Sequence, residues 1–312
     1  MDGRIGAYAA LAGGFILAGS SVVAGKVLSD LPVFFAAAGG AAIALLALVP
    51  LASREARPDR GALRRSLPLL AAQAFFGVAL FRVLMLAALT RTSAAEAGIA
   101  TSATSAITAL LSVLFLKERI GWRAAAGVAL TALGIAALES GGGPPGGLAR
   151  TLDPRSIAGC LLALGAAASE SVFNVLSKKL DASIGPRRAS AIVMGMAFVL
   201  LALLSLASGE RIEWGSIGLE RGLAFAYQGL FSSALAYLLF FTGIARVPAS
   251  TAGVFAGFIP LSSFALSILF LGERPGAAAF AGCALAISGI LLCAEPEGDT
   301  FSAAITRHSP NK

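Results

Sequence analysis

Ten runs of about twenty apolar residues follow one another along this chain, and few folds accept that pattern. They lie at 6–28, 32–51, 67–89, 93–116, 121–138, 156–177, 189–208, 221–243, 249–271 and 276–294. A bilayer core of about 30 Å is crossed by a helix of about 20 residues. A water-facing surface is excluded by the shortage of charge: 13% of the residues are charged, against about 25% in soluble domains. Mean hydropathy, +0.84, agrees. The pattern predicts an all-α polytopic membrane protein with ten transmembrane helices. The first run follows Arg4 and could pass for a signal peptide. It is too long for the apolar region of one, and nine further runs follow, so it reads as a mature helix.

Many of the 36 glycines fall inside the apolar runs. In lipid, small residues let helix backbones approach closely. The net charge of +7 does not call for nucleic acid, because the basic residues sit in short loops between apolar runs. Cys160, Cys283 and Cys293 lack metal-ligand spacing and read as small hydrophobes, and the single histidine, His308, lies in a polar tail. No metal or other cofactor is expected.

Lys and Arg in short loops set orientation. With the N-terminus cytoplasmic, sixteen of the 24 Lys and Arg fall on the cytoplasmic side and seven on the other. Arg82, inside a run, is the remaining one. Both termini are therefore expected in the cytoplasm, across a plasma (bacterial inner) membrane.

The chain also repeats. "LFLKERIGWRAAAGVALTALGI" (114–135) aligns at a shift of 155 with "LFLGERPGAAAFAGCALAISGI" (269–290), with 13 of 22 positions identical. The same shift pairs Gln73 with Gln228, Arg91 with Arg246, Gly98 with Gly253 and Glu118 with Glu273. At a shift of 152, Lys26 meets Lys178. Two homologous halves of five helices follow: 1–140 and 156–295, joined by the Gly/Pro-rich linker 141–155 and ending in a polar tail, 296–312. Five is odd, so the second half enters the membrane inverted. The halves form an inverted repeat about a central cavity, the arrangement that suits alternating access. Glu118 and Glu273 sit at the membrane edges, where they read as helix caps rather than as substrate contacts.

Ten spans, two five-helix halves, and the phrases "LFLKERIG" and "LFLGERPG" resemble the EamA-type branch of the drug/metabolite transporter superfamily over nearly the whole chain. The resemblance implies an exporter of amino acids, aromatic ones included, or of related small metabolites, with room for broad specificity. It also implies a cavity lined by helices 1, 3, 4, 6, 8 and 9, with 5 and 10 peripheral. Members often carry a proline midway along the fourth helix of each half. Here the second half has Pro260, but its counterpart is Ser105, so a proline-based kink is expected on one side only.

Charge inside hydrocarbon costs roughly 2.5–3.5 kcal/mol on insertion scales. Arg82 and Glu170 lie well inside runs, and Asn174 follows Glu170 by one helical turn. All three break the repeat: Arg82 falls on Tyr237, and Glu170 and Asn174 fall on Ala18 and Val22. A scaffold has reason to obey the symmetry, whereas an asymmetric substrate does not. Arg82, Tyr237, Glu170 and Asn174 are therefore the first substrate-site candidates, with Phe81 packing beside them. Gln73 and Gln228 obey the symmetry and read as packing. Gln73 stands nine residues from Arg82, on the opposite face of an ideal helix. Ser20, and the face of Thr101, Ser105, Thr108 and Ser112, admit two readings: bonds back to helix carbonyls, or a polar wall of the cavity.

An amino acid needs an anion-binding and a cation-binding group in an apolar pocket, and Arg82 with Glu170 supplies both. Glu170 could also carry a proton. Two other readings stand. The substrate of the second reading is a drug-like cation, which a lone carboxylate suits, a nucleotide sugar or another metabolite, although Arg82 argues against a purely cationic site. An intramembrane enzyme is the remote alternative, since neither HExxH nor GxSxG occurs. The expected partners are a small-molecule substrate and the lipid bilayer. Two halves in one chain make a monomer sufficient.

Overall fold

The structure, a computed structural model, describes residues 2–28, 30–56, 58, 60–91, 100–118, 120–140, 154–211, 214–271 and 276–294. The beginning of the fourth apolar run, most of the linker, Glu273, Arg274 and the tail lie outside the described residues.

Ten helical spans follow the apolar runs. We number them α1 (Asp2–Gly19, continued by Ser21–Val27), α2 (Val33–Ser53), α3 (Arg60–Ala74, Phe75–Leu80 and Phe81–Leu89) and α4 (Thr104–Leu116). They continue as α5 (Trp122–Ser140), α6 (Pro154–Lys178), α7 (Pro186–Ala207) and α8 (Leu219–Tyr227, Gln228–Leu235 and Ala236–Ile244). The last two are α9 (Ala249–Phe255 and Phe258–Leu271) and α10 (Ala277–Ala294). Large apolar side chains point outward, among them Leu46, Leu206 and Leu219, each more than three-quarters exposed at 76%, 79% and 81%. A soluble protein could not present such a surface, and a lipid-facing one requires it.

The packing obeys the inverted repeat. α2 packs on α7 and α5 on α10, and these are repeat mates. α1 packs on α8 as α6 packs on α3, and α1 on α9 as α6 on α4. The middle segments of α3 and α8, Phe75–Leu80 and Gln228–Leu235, are both π-helical. Gln228 falls on Gln73, so the two π segments occupy matching places. Each inserts an i→i+5 turn, a geometry frequent at functional sites.

The break in the fourth helix of each half is also symmetric, contrary to the expectation drawn from Pro260. α9 is interrupted at Ala256–Gly257, and α4 begins after a turn at Ser102–Ala103. Both breaks tighten to i→i−3 bonds: the Gly257 N–H donates to Val254 at 3.0 Å and the Ala103 N–H to Ala100 at 3.3 Å. The helices cross there, and Ser105 Oγ donates to the Gly253 carbonyl at 2.9 Å. The break is present in α9, which has Pro260, and in α4, which has Ser105 at the matching position.

Carboxylates join the halves across the repeat. Glu55, after α2, accepts from the Arg187 and Arg188 N–H groups at 3.3 and 3.0 Å, at the start of α7. Glu210, after α7, accepts from the Phe34 and Phe35 N–H groups at 3.0 and 2.9 Å, at the start of α2. Glu55 and Glu210 are 155 residues apart, the spacing of the repeat. Each supplies the acceptor that a helix N-terminus lacks and complements its dipole.

Glu118 is a cap, as its position suggested, but it caps the other half. α4 ends at Leu116, and Lys117 adopts the left-handed conformation at φ 55°, ψ 31°. The Lys117 N–H reaches the Ser112 carbonyl, as does the Glu118 N–H at 3.2 Å. This turn aims Glu118 at the start of α9. Lysine has no freedom for that conformation and glycine has; the second copy of the phrase writes Gly272 at the matching position. Lys117→Gly is therefore expected to keep the turn and raise stability by about 1 kcal/mol, readable as a higher Tm in detergent.

Candidate functional site

A cavity of about 460 Å³ lies between the halves. Its wall comes from α1 (Phe15, Ala18), α2 (Ala37, Ala41), α3 (Phe81, Arg82), α6 (Glu170, Asn174), α7 (Met194, Leu201), α8 (Ser232, Tyr237) and Ile259 of α9. It extends towards Ser21, near the end of α1, and Val33, the first residue of α2. It therefore reaches toward the face opposite the one where α1 begins. α2 and α7 contribute, which the resemblance did not imply, and no described residue of α4 does.

Of the residues singled out in the sequence, Phe81, Arg82, Glu170, Asn174 and Tyr237 meet in this cavity. Arg82 is the second residue after the π segment of α3. The extra residue in each π turn rewinds the helix, so the half-turn separation of an ideal helix between Gln73 and Arg82 does not hold here. Arg82 lines the cavity, and Gln73 is fully buried outside that lining. Among the described residues Arg82 makes no ion pair, and no hydrogen bond of its guanidinium is found. Its electrostatic neighbour is Tyr237, which also lies within reach of Glu170. Tyr237 is thus in electrostatic reach of both Arg82 and Glu170.

Glu170 is held lightly. Thr104 Oγ1 lies 3.4 Å from its Oε2, the long limit for such a bond. The neighbours of Glu170 on α6 fix its helix instead: Ser169 Oγ donates to the Phe76 carbonyl at 2.7 Å, and Ser171 Oγ to the Thr104 carbonyl at 3.1 Å. Asn174 is 1% exposed, and its Nδ2 has no partner among the described residues. A buried amide without a partner is costly, so this donor is free for whatever fills the cavity. Aromatic rings also line the cavity. Phe173 stacks on Phe240 at 5.1 Å, and Phe15 meets Phe240 edge-on at 5.7 Å.

Ser20, Thr101 and the α4 candidates sit elsewhere. Ser20 bonds the Leu17 carbonyl and the Tyr227 hydroxyl, each at 2.7 Å, while its neighbour Ser21 faces the cavity. Ser105 is spent on the Gly253 carbonyl, and Thr101 is not in the lining. Ser232, Ser233 and Gln228 line the cavity and were not chosen from the sequence. Ser232 and Ser233 fall on Gly77 and Val78 in the repeat. The broken symmetry that marked Tyr237 also marks them.

Comparison with known proteins agrees with this architecture. The model of the EamA-like transporter family matches twice, over residues 4–139 and 157–294. The uncharacterized transporter YetK of Bacillus subtilis (strain 168) is 28% identical over 305 residues, covering 96% of this chain and 91% of that one. A probable terminal-alkyne amino-acid exporter of Streptantibioticus cattleyicolor is 27% identical over 275 residues, 86% of this chain and 83% of its own. The threonine/homoserine exporter RhtA of Escherichia coli (strain K12) is 30% identical over 118 residues, 38% of either chain. One crystal structure shares the fold with a TM-score of 0.77 at 22% identity, over 98% of this chain and all of its own.

Proposed function

This chain belongs to the EamA-like transporter family, and we propose that it exports amino acids or related zwitterionic metabolites by alternating access. The membrane is the plasma membrane, with both termini in the cytoplasm. The halves 1–140 and 156–295 are the bodies that move, about the linker 141–155. One observation carries the reading: a cation without a counter-ion among the described residues and a weakly held carboxylate share one cavity, with Tyr237 in electrostatic reach of both. A zwitterion supplies the missing partner of each. Its carboxylate takes Arg82, where a planar guanidinium offers paired donors. Its ammonium takes Glu170, and Asn174 Nδ2 adds a donor to the carboxylate side. Ser232 and Ser233 offer further polar contacts, and the rings of Phe173 and Phe240 receive the side chain.

Counterflow in liposomes tests this with a panel of labelled amino acids, the corresponding decarboxylated amines, and nucleotide sugars. Amino acids are expected to exchange, and the amines to exchange at least about 10-fold more slowly, the loss of one charge-assisted bond. Exchange of amines or nucleotide sugars in preference to amino acids would overturn the reading.

A further inference from the structure

The cavity extends toward one face of the molecule. At the other, the turn between α8 and α9 is held from both sides by opposite charges. Glu118 takes the amide end: it accepts from the Ala249 N–H at 2.8 Å, the Ser250 N–H at 3.2 Å and Ser250 Oγ at 3.0 Å. Lys178 takes the carbonyl end: its Nζ donates to Ile244 at 3.2 Å and Ala245 at 3.3 Å. An anion at a helix N-terminus and a cation at a C-terminus are each favoured by the helix dipole. The two side chains also lie in electrostatic reach of each other. They come from α4 and α6, so one corner binds four helices and both halves.

This corner lies just beyond the end of the cavity. Asn174 and Phe240 line it, while Lys178 and Ile244 lie one helical turn further along the same helices. Phe173 and Phe240 line the cavity there, and the buried ring of Phe241 packs on both. Glu55 bonds at this face too, but at the start of α7 rather than at the α8–α9 turn. Glu210 is its repeat mate at the other face. Glu118 bonds at the turn itself, on the face opposite the one toward which the cavity extends.

We infer that Glu118 is a positioning residue for transport: it latches the start of α9 and keeps the N-terminal face of the cavity shut until the latch is released. The inference rests on the transport reading above, and its test needs no substrate, so the two can fail separately. The protein is made free of its native cysteines, Ser233→Cys is placed in the cavity, and the variant is reconstituted in vesicles of known sidedness. A membrane-impermeant maleimide is then applied to one face at a time. With Glu118 intact, labelling from the face opposite the N-terminus is expected to dominate. Glu118→Ala should raise labelling from the N-terminal face roughly 10-fold, the effect of losing a helix cap and its charge-assisted bonds. Glu118→Gln, which keeps an acceptor, should fall between. Glu55→Ala, a cap of similar form, should lower Tm and leave the ratio of the two faces unchanged. If Glu118→Ala does not fold, Ser250→Ala and Lys178→Met each remove part of the corner and should shift the ratio the same way by a few-fold. An unchanged ratio in every folded corner variant, or an equal shift in Glu55→Ala, would overturn the latch.

Discussion

Gly134→Leu should leave little folded protein. α5 and α10 meet through two pairs of repeat-related glycines, Gly127 with Gly282 and Gly134 with Gly289. A Cβ on Gly134 would stand 2.7 Å from the Gly282 carbonyl oxygen and 2.7 Å from Ala286 Cα. Those are backbone atoms, so relief requires the helices to separate. Gly282 and Gly289 meet backbone atoms of α5 in the same way, at Gly134 and Gly127 respectively. No hydrophobic gain between lipid and protein compensates for a gap here, because association in lipid rests on close packing itself. Gly134→Ala should cost about 1–3 kcal/mol, the usual range for overpacking. Leucine should exceed it and abolish the monodisperse peak in size-exclusion chromatography. Gly222→Ala is the control, because a Cβ there meets nothing within 4 Å. A normal peak and Tm for Gly134→Leu would refute this account of the α5–α10 contact.

Arg82→Ala should abolish most transport while leaving the fold intact or firmer. The guanidinium is held in the membrane without an ion pair among the described residues. A central arginine costs roughly 2.5–3.5 kcal/mol on insertion scales. Removing a purely structural arginine would strand the groups it holds and lower Tm. Removing one kept for a substrate carboxylate should raise Tm or leave it unchanged. Counterflow at sub-saturating substrate should fall about 100-fold, since losing one partner of a buried charged pair costs about 2–5 kcal/mol. Arg82→Lys keeps the charge but loses the planar fork, and should recover part of the flux. A lower Tm with flux retained would make Arg82 a scaffold residue and remove the main support for a zwitterionic substrate.

Different parts of this molecule were legible to different degrees. The ten apolar runs and the 155-residue register required the spans and the inverted halves, because hydrocarbon tolerates only internally bonded backbone. Arg82, Glu170, Asn174 and Tyr237 stood out because they break that register, and the cavity gathers all four. Ser232 and Ser233 break it too and passed unnoticed, since a serine in a helix has a bland alternative in bonding its own backbone. Ser105 and Thr101 show the reverse error. Their hydroxyls share a helix face, but which face meets the cavity depends on how the helix is turned.

That rotation is what only the tertiary structure decided. A membrane helix apolar all round carries no stripe to fix its facing, so its neighbours set it through close contacts. The π turns in α3 and α8 then reset the facing of every residue after them. The same holds for the carboxylates. The repeated Glu-Arg phrase marked Glu118 as an edge residue and a cap. Only folding, which brings α4 against α9, showed that it caps the opposite half. Sequence alone determined how many times the chain crosses and that its halves are inverted, because those follow from local solubility in lipid. Which polar groups face one another follows from contacts between residues more than a hundred positions apart, and the fold had to supply those.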